Sequence, residues 1–130
     1  MFLSLFLILL DQLIKQLVIF FSLPFIKNYG VSFGLFSEIT SKYIIIVVLV
    51  VNIVLIKIIK EKKYEYINRS LIMILSGGLS NLIDRIFRGY IIDYISFKNF
   101  PVFNFADLLI NLGIIYLIYE FINKNYLRRS

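Results

Sequence analysis

The sequence predicts an all-α integral membrane protein with four transmembrane helices in one domain, residues 1–130. Three observations lead there. Of the 130 residues 60% are hydrophobic and the mean hydropathy is +0.88, more apolar surface than a water-soluble domain of this length can hide. Four segments reach the roughly 20 mostly apolar residues that a membrane-spanning helix needs. The basic residues gather in the connections between those segments, as they do in membrane proteins.

The first segment runs from Phe2 to Phe21 and is interrupted by Asp11 and Lys15. It lacks a basic stretch ahead of the apolar run and a small-residue cleavage site, so it is expected to be a retained helix and not a cleaved leader. The second, Tyr43 to Ile59, is the most purely apolar. The third, Ser70 to Phe87, has a polar far end with Ser80, Asn81, Asp84 and Arg85. The fourth, Val102 to Ile122, carries Asn104, Asp107 and Asn111 near its start.

Charge sets the expected orientation. Eight Lys/Arg lie between helices two and three (Lys57, Lys60, Lys62, Lys63, Arg69) and in the tail (Lys124, Arg128, Arg129). Five (Lys27, Lys42, Arg85, Arg88, Lys98) lie on the other side. The positive-inside rule places both termini in the cytoplasm, with the other two connections outside. The net charge of +6 is explained by these loops, and no nucleic-acid partner is expected.

With that topology the unusual polar residues converge. Asn28 and Gly30 fall in the first outer connection, and Asp93 in the second. Asn81, Asp84 and Arg85 end helix three; Asn104 and Asp107 begin helix four. Gly77, Ser80/Asn81 and Asp84 share a helix face by their i, i+3/i+4, i+7 spacing, and Asp11 and Lys15 are an i, i+4 pair. Ionisable groups at membrane depth are costly and face protein or a wet cavity. Asp11–Lys15 reads as a structural ion pair pinning helix one. Gly77-Gly78 reads as a close helix contact. Asn81 reads as an interhelical hydrogen-bonder, and Asp84-Arg85 as an interfacial salt bridge. Asp107 has no basic neighbour within a turn, which leaves it without a structural explanation.

The chain has no Cys and no His. Disulfides, thiolate metal sites, zinc–histidine sites and Ser-His or Cys-His nucleophiles are excluded. No metal or other cofactor is expected. A pair of adjacent carboxylates remains as a hydrolytic device: one ionised to take a proton from water, one protonated to polarise a carbonyl. Asp107 pairs with either Asp84 or Asp93; spacing alone does not choose.

The blocks Asp11-Gln12-Leu13-Ile14-Lys15, Asn28-Tyr29-Gly30-Val31-Ser32-Phe33-Gly34, Gly77-Gly78-Leu79-Ser80-Asn81-Leu82-Ile83-Asp84-Arg85, Ile92-Asp93-Tyr94 and Phe103-Asn104-Phe105-Ala106-Asp107 occur in this order. Together they resemble the bacterial lipoprotein signal peptidase family (signal peptidase II, peptidase family A8). The resemblance implies a membrane aspartic endopeptidase that removes signal peptides from diacylglyceryl-modified prolipoproteins, just before the lipidated cysteine. It implies a small periplasmic β-cradle and a short amphipathic segment beside the four helices. It also implies Asp93 and Asp107 as the catalytic pair, with Asp84 and Arg85 supporting the site and Arg85 near the substrate backbone. Asn28, Gly30, Asn81, Asn104 and Ala106 match positions that shape the pocket, and Asp11 and Lys15 match the helix-one pair.

The implied setting is the inner membrane, with the site at the periplasmic face. The implied partners are prolipoproteins and membrane lipids, and a monomer is expected. Gly77 and Gly30 would leave room for substrate backbone and lipid. The chain departs from the family in Ser80, where a Gly is usual, in Val31-Ser32-Phe33, and in a shortened Asp93–Asp107 stretch. Two other classes are an ion-conducting subunit and a non-catalytic assembly protein. The first needs polar groups on both sides, which the inner halves of helices two to four lack; the second would tolerate loss of Asp93.

Overall fold

The structure, a computed structural model, describes residues 2–30, 38–61 and 65–127. The order of elements is α1 (Phe2–Phe20), β1 (Ile26–Asn28), α2 (Glu38–Lys60), α3 (Glu65–Phe87), β2 (Ile91–Asp93) and α4 (Phe105–Leu127). Each helix contains a stretch long and apolar enough to cross a membrane. The second and third helices begin earlier than the apolar runs, at Glu38 and Glu65. Hydropathy marks only the part of a helix that sits in lipid.

The fourth helix corrects the sequence reading at its start. It begins at Phe105, not Val102, because Asn104 is its N-cap. Asp107 N donates to Asn104 Oδ1 (3.0 Å) while Asn104 N donates to Asp107 Oδ2 (3.2 Å). This is the reciprocal arrangement of a capping box, with Asp in place of the usual Glu. Asp107 therefore lies in the first turn of α4, where carboxylates suit the helix dipole.

α3 is the central element and packs against α1, α2 and α4, while the substantial contacts of α2 are with α3 alone. Two glycines set the α3–α4 approach. A Cβ at Gly77 would run into the Ala106 carbonyl oxygen, and one at Gly113 would lie 2.9 Å from the Ser70 carbonyl oxygen. Gly77 thus leaves no room for lipid, contrary to one expectation; the helix contact fills it. The exterior is apolar, with Phe2, Leu9, Val47 and Ile115 all exposed, whereas Asp11, Lys15, Ser76, Ser80, Asn81 and Asp84 are buried. Helices in lipid gain little from burying apolar faces, so small and polar residues hold them together.

Beyond the ends of α1 and α3, β1 and β2 form a two-stranded antiparallel sheet with Ile26 opposite Asp93 and Asn28 opposite Ile91. An isolated bridge pairs Ile95 with Phe103. The sheet is the observed part of the expected cradle. Val31-Ser32-Phe33 lies outside the described residues. The strand register places Asn28 diagonal to Asp93 on one face, since alternate residues of a strand share a side.

Candidate active site

Asn28, Gly30, Asn81, Asp84, Arg85, Asp93, Asn104, Ala106 and Asp107 gather at the end of the bundle where α3 finishes and α4 starts. Asp93 closes β2 and is 3% exposed. Its Oδ2 accepts from Asn28 Nδ2 (2.9 Å) and its Oδ1 from Asn104 Nδ2 (2.7 Å). Asp107 Oδ1 accepts from Asn81 Nδ2 (2.9 Å), and its Oδ2 takes the Asn104 backbone N–H. Asn104 therefore touches both carboxylates, one with its side chain and one with its main chain. Its amide also donates to Asn81 Oδ1 (3.2 Å), closing a ring of amides around the two acids.

Of the two candidate partners for Asp107, Asp93 shares this ring and Asp84 does not. Asp84 is fully buried and takes two cations: Lys15 Nζ at 2.8 Å and Arg88. The expected Asp84–Arg85 salt bridge is absent among the described residues, because consecutive residues on a helix do not face each other. Arg88, four residues on, does. Arg85 instead donates through Nη2 to the Gly30 carbonyl (3.3 Å), and its Nε has no partner among the described residues. Gly30 N donates to Asn28 Oδ1 (3.1 Å), a local turn that aims the Asn28 amide at Asp93.

The helix-one pair reaches further than one helix. Lys15 Nζ contacts Asp11 (2.7 Å), Asp84 and Asn81 Oδ1 (3.1 Å), so the ammonium has three acceptors on two helices. Asp11 Oδ2 accepts from Ser80 Oγ (2.6 Å) and Oδ1 from Ala106 N (3.0 Å). Ala106 is fully buried and acts through its backbone; its side chain does not line an open pocket.

Sequence reasoning gave no site role to four residues. Gln12 donates to the Ser80 carbonyl, Ser80 Oγ and Asp84 Oδ1, and accepts from Arg88 (2.9 Å). The Ser80 hydroxyl, read as extra volume, is a donor to Asp11. Arg88 carried a usable signal, its i+4 spacing from Asp84. Tyr94 Oη accepts from Phe105 N (3.3 Å). Asn111, named with Asn104 and Asp107 near the start of the fourth apolar segment, is exposed.

Electrostatics separates the two groups of acids. Burial pushes the Asp93 carboxyl above its ordinary range, and the nearby Asp107 charge adds to this; the Asn28 and Asn104 hydrogen bonds and Lys15 oppose it. Burial also pushes the Tyr94 phenol up, to about 12. Among the described residues, no group of three or more His, Cys, Asp or Glu is placed to hold a metal ion.

The family model for signal peptidase (SPase) II matches residues 3–123. The chain belongs to the signal peptidase II family. It is 42% identical over 110 residues to the lipoprotein signal peptidase of Caldanaerobacter subterraneus subsp. tengcongensis, covering 84% of this chain and 76% of that one. It is 38% identical over 114 residues to that of Fusobacterium nucleatum (85% and 69%), and 36% identical over 125 residues to that of Halothermothrix orenii (85% and 86%).

Two solved structures of bacterial membrane enzymes share the fold. One superposes with a TM-score of 0.83 at 21% identity (94% of this chain, 86% of that one), the other with 0.80 at 21% (92% and 90%). As a member of the family the protein is a membrane protease, and its four apolar helices make it multi-pass. Asp93 and Asp107 are two carboxylates held by amides at one end of this bundle.

Proposed function

We propose that this protein removes signal peptides from diacylglyceryl-modified prolipoproteins by aspartic-protease chemistry, cutting just before the lipidated cysteine, with Asp93 and Asp107 as the catalytic pair. The observation that carries this is the amide ring: four N–H donors on two acidic side chains, joined by Asn104, with no cation in direct contact with either among the described residues. Such a pair shares a proton. The place of Asp107 in the first turn of α4, where the helix dipole and the Asn104 N–H suit a carboxylate, supports it as the base and leaves Asp93 as the proton holder.

In this mechanism Asp107 takes a proton from water, and the water oxygen bonds to the scissile carbonyl carbon. Asp93 gives its proton to the carbonyl oxygen. The tetrahedral intermediate collapses as the C–N bond breaks, the leaving nitrogen takes a proton from Asp107, and the hydroxyl returns its proton to Asp93. The Arg85 Nε–H is a donor for a substrate carbonyl. No metal takes part.

The protein acts as a single-domain monomer with both termini in the cytoplasm and this site at the periplasmic face, which the bias of basic residues supports. The lipid on the substrate anchors the cysteine at the interface, each buried CH₂ contributing about 0.8 kcal/mol, and holds the bond at the level of the pair.

The test is to incubate purified protein with a diacylglyceryl-modified prolipoprotein, with its unlipidated form, and with the Asp93→Asn and Asp107→Asn variants. Cleavage of the lipidated substrate by the unsubstituted protein alone is the expected result. Near-normal cleavage by either variant would overturn the assignment of the pair.

A further inference from the structure

The first turn of α4 offers backbone N–H groups that its own helix cannot use. Asp107 N is taken by the Asn104 cap and Ala106 N by Asp11. The remaining one, Phe105 N, donates to the phenol of Tyr94 (3.3 Å). Tyr94 directly follows Asp93 in the chain, and Phe105 lies two residues before Asp107. Main-chain bonds from Tyr94 N and Ile95 N to the Phe103 carbonyl (3.1 and 2.8 Å) brace the same junction. One phenol oxygen thus ties the strand bearing one acid to the helical turn bearing the other.

We infer that Tyr94 is a positioning residue whose hydroxyl sets the separation of Asp93 and Asp107, and with it the sharing of their proton. The inference rests on the peptidase reading above. The charged groups that face Tyr94 are Asp11 on α1, Asp84 on α3 and Asp107 on α4, with Asp93 its neighbour in the chain; Lys15 and Arg88 sit against Asp11 and Asp84. Burial pushes the phenol itself up, to about 12, away from the range of a carboxylate pair.

Loss of the hydroxyl lets the acids move apart. Their mutual repulsion weakens, and the upper apparent pKa of the pair falls. Tyr94→Phe keeps the ring and removes only the bond. The expected result is a kcat about tenfold lower, since small misplacements of reacting groups are expensive, with KM for the lipidated substrate unchanged and the alkaline limb of the pH profile at lower pH.

Phe105→Pro removes the same bond from the donor side, because proline is well tolerated at the first position of a helix. It should give the same limb shift, and Tyr94→Phe should add nothing in its background. An unchanged kcat and pH profile in Tyr94→Phe, or a loss of thermal stability alone, overturns the inference. So does full additivity of the two substitutions. Asp93→Asn run in parallel separates the failures: if it cleaves normally the peptidase pair is wrong, and if it is inactive while Tyr94→Phe is normal only the strut is wrong.

Discussion

Asp11 and Asp84 sit against ammonium and guanidinium groups, whereas Asp93 and Asp107 sit against neutral amides. Lys15 and Arg88 balance the first pair, and all three of Asp11, Lys15 and Asp84 are fully shielded from solvent. Among the described residues, the second pair receives the N–H groups of Asn28, Asn81 and Asn104. A buried carboxylate with a cation in contact is tied to it, because loss of either partner leaves a buried charge uncompensated. A carboxylate held by amides keeps a choice of protonation state. The four aspartates thus divide by their partners, two against cations and two against amides, and the second two are the pair proposed as catalytic.

The sharpest way to break this contrast is to neutralise each kind of acid or its partner. Asp93→Asn and Asp107→Asn should each lower the cleavage rate by about a thousandfold or more, with membrane insertion and thermal midpoint kept. Lys15→Met should do the opposite, destabilising the fold by roughly 3–5 kcal/mol because Asp11 and Asp84 lose their shared cation. Thermal unfolding in detergent reads this, and retained stability would mean the ion-locked group is not locked.

A smaller effect is expected from Asn28→Ala, which removes a donor from the Asp93 carboxylate. The ionised form loses support, the proton is held to higher pH, and the alkaline limb of the rate profile moves up, with a few-fold loss of rate. A downward shift would show that Asp93 is not the proton holder. The smallest effect belongs to Ser80→Gly, which deletes one hydroxyl donor to Asp11. About 1.5 kcal/mol of stability should go, with cleavage per folded molecule nearly unchanged.

What the sequence made legible follows from what spacing can report. The four apolar runs were visible because a lipid-facing helix must be apolar along its length. The Asp11–Lys15 contact was visible because i+4 neighbours on a helix meet. Spacing alone left Asp84 and Asp93 open as the partner of Asp107, and only the resemblance pointed to Asp93; the variants above test that choice. The start of α4 was misread because Val102 and Phe103 continue the apolar run, and only the Asn104–Asp107 exchange marks the true boundary. The third-helix contacts of Lys15 were invisible, since nothing local records that a residue in α1 will meet Asp84 sixty-nine positions away. Ser80 was judged by volume when its chemistry mattered, for the same reason: its acceptor lies on another helix.

The Asp11–Ala106 hydrogen bond spans ninety-five residues and joins the first membrane helix to the last. A chain delivered to the membrane from its N-terminus holds Asp11 ready long before α4 has been made. Until α4 arrives, Asp107 has neither its cap nor its place beside Asp93. Under the pairing proposed above, proteolytic competence waits for α4, and a nascent chain that still lacks it carries no working blade.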